Sequence, residues 1–279
     1  QVANLGRNHP MVRTQSFSED IDAEGGLFPP ERLALLYGTH PSQSEPTQGK
    51  IYALTLDVAG EDENDGQDLE ALKNPARDST ALTIAEVDLS TVNDPGLRLP
   101  SYRIVYRQTW IGIKHSHIYG QVLNLAATWN CKALIVDATG VGAGLSSFLA
   151  RALGEKVIPF VFNGKTKSDL GWSFLALVDS GRLTTYAPEE GQAGRLSALH
   201  QEFFQQLTAT QYEIIPGPDK KIRWSVPEGT RDLATGDLVH DDLVIAAALL
   251  SQLDLQQWSI TGPAAVVKAL DPLDDMKGF

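Results

Sequence analysis

Three groups of carboxylates stand where chemistry could be done: Asp57 at the end of IYALTLD, Asp137 at the end of CKALIVD, and Asp241-Asp242 at the head of DDLVIAAALL. Carboxylate oxygens are hard donors, and with no Cys/His cluster beside them they suit Mg²⁺ or Mn²⁺ rather than zinc. Being far apart in sequence, they can share ions only if two strands are neighbours in one sheet and a helix starts beside their ends. Singly, each has a plainer reading: a helix-start aspartate is ordinarily a cap or dipole partner worth about 0.5–2 kcal/mol, and strand-end aspartates often begin turns. It is the conjunction, two acids ending the most apolar strands and a pair opening an alanine-rich helix, that points to a divalent-metal site.

The elements needed to position these acids follow from patterning. In residues 51–57, alternation puts Ile51, Ala53, Thr55 and Asp57 on one face and Tyr52, Leu54 and Leu56 on the other. Residues 133–136 are a continuous apolar run, as in a parallel strand buried on both faces. Gly140, Gly142 and Gly144 then turn the chain into a helix reaching about Leu153. Ala246, Ala247 and Ala248 let the last helix, 241–253, lie close on a sheet. Between these come strands at 80–88 and 102–110, which short connections make an antiparallel meander, then a helix near 116–129. A strand at 157–162, a helix stopped by Gly181, a helix at 194–207 and a hairpin turning across Pro216 to Asp219 complete the pattern. A meander followed by parallel crossovers predicts an α/β fold: a mixed five-stranded sheet flanked by helices, with an added β-hairpin. Residues 1–49, polar and turn-rich, read as a connector from an upstream domain, 50–258 as the main domain, and 259–279 as a flexible tail. A chain opening on Gln1 reads as a fragment of a longer protein.

Composition narrows the partners. With 23 Lys+Arg against 35 Asp+Glu, net charge -12, the chain is not a global electrostatic binder of nucleic acid, so any DNA contact must be local or shared. A single cysteine, Cys131, excludes a disulfide framework and suits a reducing compartment as core filler. No signal peptide or membrane-length apolar stretch is evident, so the expected location is cytoplasmic, without membrane insertion.

The residues LDVAG, with a later DST, IVDATGVGAGL, the following strand with its KSDL helix, and HDDLVIAAAL resemble the ribonuclease H-like superfamily. The finer likeness is to the nuclease domain of tailed-bacteriophage large terminases, over about residues 51–253. HPMVRTQSFSED and EGGLF are similar to the segment joining a terminase ATPase to its nuclease. The insertion EDENDGQDLEALKNPARD departs from the family's hairpin. The resemblance implies an endonuclease that cuts concatemeric double-stranded viral DNA in the host cytoplasm. Its implied partners are an upstream ATPase domain of the same chain, the portal and the small terminase subunit. By position it assigns Asp57, Asp137 and Asp242 to the metal-binding, catalytic acids, with Asp241 as an adjacent acid.

Phosphodiester hydrolysis must stabilise an attacking hydroxide and a leaving alkoxide around an anionic phosphorus, which two metal ions ~3.5–4 Å apart can do. On this reading Asp57 bridges both ions, Asp137 holds one and Asp242 the other, with Asp241 behind them or capping its helix. Asp78 could face Asp57 across the ladder, although a turn-side aspartate is the commoner case. His240 could move a proton or contact phosphate, its plainer reading being a solvent-facing loop residue. Candidate DNA-backbone cations are Lys114, Lys165, Lys167, Lys220, Lys221 and Arg223.

Two strings mimic nucleotide loops. FNGKTKS has the GK[ST] of a phosphate-binding loop without its first glycine, and GVGAGL lacks the GxGxxG spacing. The rival readings are another ribonuclease H-like nuclease, of resolvase or integrase type, and an actin-like ATP-binding module, which also pairs strand-end acids with glycine turns.

Overall fold

The computed structural model describes residues 26–60, 79–188 and 194–258. The chain enters through a short helix α1 (Pro30–Ala34) and strand β1 (Tyr37–Pro41). The meander follows as β2 (Ile51–Asp57), β3 (Ser79–Asp88) and β4 (Ser101–Ile111). Helix α2 (His115–Thr128) crosses to β5 (Ala133–Asp137), and α3 (Gly142–Leu153) to β6 (Val157–Phe160). Then come α4 (Gly164–Asp179), β7 (Leu183–Ala187), α5 (Arg195–Ala209), the hairpin β8 (Gln211–Ile214) and β9 (Ile222–Ser225), and α6 (Asp242–Leu249).

The main sheet has the order β1-β7-β4-β3-β2-β5-β6, with β2, β3 and β4 antiparallel and the flanking pairs parallel. This is the mixed, helix-flanked sheet expected from the patterning, but with seven strands rather than five. The two extra strands carry weak signals. β1, YGTHP, holds a glycine and a proline and alternates only between exposed and half-buried positions, as an edge strand can. β7, LTTYA, is short and directly follows the Gly181 stop.

Their pairing brings residues from before position 49 into the sheet. β1 pairs in parallel with β7, the Thr185 amide donates to the Leu36 carbonyl at 2.8 Å, and Leu27 and Leu36 are fully buried. Residues 27–41 are therefore part of the domain's packing. The strand expected to run through Phe162 ends at Phe160, and the Asp88-side meander turn contains a 3-10 segment, Ser90–Asn93. The acidic insertion 61–78 and the tail from 259 lie outside the described residues.

Alternation along β2 divides the core in two. Tyr52, Leu54 and Leu56 join the layer built with Ile118 and Val122 of α2 and Leu145 and Leu149 of α3. Ala53 joins the opposite layer, with Trp172 and Phe174 of α4, Phe203 of α5 and the whole apolar length of α6. A sheet covered on both faces excludes water from everything except its rims, and it is at one rim that β2 and β5 both end in an acid.

Candidate metal centre

Parallel pairing of β2 with β5 runs from Ala53–Ala133 to Leu56–Val136, so Asp57 and Asp137 stand one step further, side by side at the sheet's edge. Adjacent strands are about 4.8 Å apart, and residues at one rung point the same way. α6 reaches the same rim because one hydrogen bond fixes its depth. The Thr55 hydroxyl, on the Asp57 face, donates to the Ala246 carbonyl at 2.6 Å in a buried setting. From that bond, two strand residues lead to Asp57 and one helical turn back leads to Asp242, each ~6–7 Å. The alanines make this possible: all eight residues of α6 are buried, and a bulkier run would hold the helix off the strands.

Asp57, Asp241 and Asp242 line a cavity of about 230 Å³ together with Ser79, Phe162 and Lys167. Burial pushes the Asp57 carboxyl well above the usual carboxylate range, and the charges of Asp242, Asp137 and Asp241 push it further, against Lys167 alone. Asp137 is raised by burial too, partly offset by the Thr139 amide donating to its Oδ1 at 2.8 Å. Asp137 adjoins this cavity's acids but is not among the residues lining it. Behind it the chain turns tightly: a Cβ on Gly142 would stand 2.5 Å from the Asp137 carbonyl oxygen, so only glycine fits there.

Asp242 is held from the side. Its Oδ2 accepts from both the backbone N–H and the hydroxyl of Ser79, each at 2.7 Å. Asp241 occupies the N-cap position of α6 yet makes no side-chain cap. Its Oδ2 lies 3.8 Å from Lys167 Nζ instead, so of the two places expected for it, behind the metal-binding acids or capping its helix, the cap is not the one it takes.

Among the described residues no three or more His, Cys, Asp and Glu side chains are grouped closely enough to hold one metal ion between them. Asp57, Asp241 and Asp242 line the cavity, and burial together with the neighbouring carboxylates strains the charged form of Asp57. A divalent cation would reverse that strain, and the donors are the hard oxygens such an ion prefers.

The other sequence candidates are spread around this centre. Asp78 lies outside the described residues, although its neighbour Ser79 is a wall of the cavity. His240 is half-buried rather than solvent-facing; it lines a neighbouring cavity of about 680 Å³, where its charge acts on Glu202. Of the cations, Lys167 reaches the acids. Its ammonium also sits 5.6 Å over the Trp224 ring, whose Nε1 donates to the Lys167 carbonyl at 2.7 Å. Lys165 pairs with Asp169 at 2.5 Å, Lys221 with Asp219 at 4.0 Å, and Arg223 with Glu213 at 3.3 Å. Lys220 is at the hairpin turn with a positive φ, and Lys114 borders a separate apolar cleft with Tyr119 and Phe148.

Ser79, Thr55, Thr139 and Phe162 are functional neighbours that the sequence did not single out. Thr55 alone had a legible signal, as the polar residue two before Asp57 on its face. The FNGKTKS string closes on itself: Asn163 Oδ1 accepts the Lys165 and Thr166 amides, the donors that a phosphate loop would present to its ligand.

No protein-family model and no curated protein sequence matches the chain. Solved structures do resemble it. The large terminase nuclease of thermophilic phage G20c with bound magnesium superposes with a TM-score of 0.55 at 15% identity, over 82% of this chain and 98% of that one. The same nuclease with bound cobalt gives 0.55 at 15% identity, over the same 82% and 98%. The Thermus phage P74-26 large terminase nuclease domain gives 0.53 at 14% identity, over 84% of this chain and 97% of that one. The chain therefore shares the fold of these large terminase nuclease domains, as the sequence resemblance implied.

Proposed function

We propose that this chain, built on the fold of the phage large-terminase nucleases, is the DNA-cutting domain of a genome-packaging terminase. It is a metal-dependent endodeoxyribonuclease acting on concatemeric double-stranded DNA. The observation that carries this reading is the convergence of Asp57, Asp241 and Asp242 on one cavity at the sheet rim, with Asp137 beside Asp57 on the neighbouring strand. The G20c nuclease, which shares the fold, was solved with bound magnesium and with bound cobalt, which supports a divalent ion in this chain.

Asp57, Asp137 and Asp242 would hold the ions, with Asp241 beside them. Two Mg²⁺ or Mn²⁺ ions bound there would lower the pKa of an attacking water and stabilise the leaving oxygen. The chain's own residues do the rest. Ser79 fixes the Asp242 rotamer with two hydrogen bonds, and Thr139 fixes that of Asp137. Lys167, the cation of the cavity wall, meets the DNA phosphate and balances the acids until the substrate arrives. Lys114, Lys165, Lys220, Lys221 and Arg223 contribute at most weak backbone contacts, because an acidic protein binds DNA through local charge.

The domain works in the host cytoplasm with double-stranded DNA, an upstream ATPase domain, the portal and the small terminase subunit. Among the described residues no helix is long and apolar enough to cross a membrane. Cleavage of supercoiled plasmid with Mg²⁺, with Mn²⁺ and with EDTA tests the proposal, alongside a four-way junction. Metal-dependent plasmid cleavage without junction preference supports it; junction-selective cleavage favours a resolvase-type nuclease.

A further inference from the structure

The helix that delivers Asp241 and Asp242 begins without a cap of its own. An aspartate at the N-cap ordinarily turns its carboxylate onto the amides two and three residues ahead. Here Asp241 makes no such bond, although α6 starts directly after it. The amides of Leu243 and Val244 donate instead to Oε1 of Gln206 on α5, at 2.9 and 3.3 Å. Gln206 is only 1% exposed, and its amide is orientated from the other end: Nε2 donates to Glu202 Oε1 at 3.2 Å, which leaves Oε1 facing the helix.

We infer that Gln206 is a positioning residue that caps α6 from another helix and thereby releases the Asp241 carboxylate into the metal cavity. This rests on the metal-centre reading above. A helix start needs acceptors for its first amides, and a nearby aspartate carboxylate is among the preferred acceptors. Were Gln206 absent, the nearest carboxylate able to satisfy the Leu243 and Val244 amides would be that of Asp241. Turning back to do so would take it off the cavity wall, away from Lys167. The acceptor in trans lets one short segment carry two consecutive acids on the cavity wall, with Asp242 held by Ser79 and Asp241 beside Lys167.

The test is a double-mutant cycle on Mn²⁺ binding, read as the Mn²⁺ concentration giving half of the thermal shift, with calorimetric titration as a second measurement. The chains are wild type, Gln206→Met, Asp241→Asn and the double variant. Gln206→Met is expected to raise the half-saturation concentration about tenfold or more, the range for residues that orient metal ligands. Asp241→Asn is expected to weaken binding in the wild-type background and to have little further effect beside Gln206→Met, because there Asp241 has already turned back. If Gln206→Met does not fold, Gln206→Asn, which withdraws the acceptor by one methylene, gives the same reading. An unchanged half-saturation with a lowered melting temperature, or full additivity of the two substitutions, overturns the inference while leaving the metal centre standing. A wild-type chain with no saturable Mn²⁺ response overturns both.

Discussion

Asp57 and Asp137 stand at the same level of neighbouring parallel strands, one residue past the Leu56–Val136 pair, where the β2 and β5 strands run out of the core together. Two carboxylates so placed repel each other, and the nearby Asp242 and Asp241 add to that repulsion. The arrangement is unfavourable alone and becomes favourable when a cation is shared.

Asp57→Asn therefore has opposite effects with and without metal. The folded Asp57 carboxyl is raised above its unfolded value, so its contribution to stability is full below the unfolded value and is lost as pH rises through the folded one. At pH 7.5 the metal-free Asp57→Asn chain is expected to melt higher than wild type. The rise in melting temperature that Mn²⁺ gives wild type is expected to vanish in the variant. Thermal unfolding with Mn²⁺ and with EDTA measures both; a variant that gains as much from Mn²⁺ as wild type contradicts the assignment.

Ser79→Ala removes one of the two bonds that hold Asp242 Oδ2 and keeps the backbone one. A hydrogen bond to a charged acceptor contributes about 1.5–3 kcal/mol, so the loss shows in denaturant unfolding. The cleavage rate at low Mn²⁺ falls more than the rate at saturating Mn²⁺, because the ligand is misplaced rather than removed. Equal rates at all Mn²⁺ concentrations contradict a role for Ser79 at the centre.

Lys167 is the cation that reaches the acids, whereas Lys165, Lys221 and Arg223 each face a carboxylate of their own. Lys167→Ala is expected to weaken DNA binding and to reduce the slope of log affinity against log salt by about 1. Lys165→Ala and Arg223→Ala are expected to change that slope less. Fluorescence anisotropy over a salt series distinguishes these outcomes, and an unchanged slope in Lys167→Ala contradicts the phosphate contact.

Away from the site, burial lowers the His200 imidazole to about 4, with help from the Arg107 charge. A base lowered in the folded state contributes stability that is present above its unfolded value near 6.5 and is lost as pH falls towards 4. At its steepest this one group costs about 1.4 kcal/mol per pH unit. His200→Phe removes that dependence while keeping a ring among Tyr37, Tyr186 and Phe204. Urea unfolding at pH 7 and at pH 5 measures it: the wild-type loss between the two exceeds that of the variant, and equal losses contradict the buried neutral imidazole.

Much of this architecture was legible in the chain. β2 announced its two faces by alternation, β5 its double burial by an unbroken apolar run, and α6 its close packing by three alanines. Local patterns of that kind were enough to bring Asp57, Asp137 and Asp242 to one rim. What escaped depends on contacts between distant segments. β1 is an edge strand whose partner, β7, lies well over a hundred residues on, and nothing in YGTHP marks it as a strand. Gln206 reads as one of several glutamines on an amphipathic helix, and only the fold shows that its amide meets the start of α6. The local rule leaves Asp241 either capping its helix or standing behind the other acids, and only the fold shows that Gln206, from another helix, accepts the capping bonds.

The central claim is that Asp57 holds the ions that cut DNA. Its most direct test is cleavage of supercoiled plasmid by wild type and Asp57→Asn in Mn²⁺, at equal concentration and with folding verified by circular dichroism. The account predicts nicked and linear product from wild type, none in EDTA, and none above background from the variant. Mn²⁺-dependent cleavage by folded Asp57→Asn at the wild-type rate would contradict it.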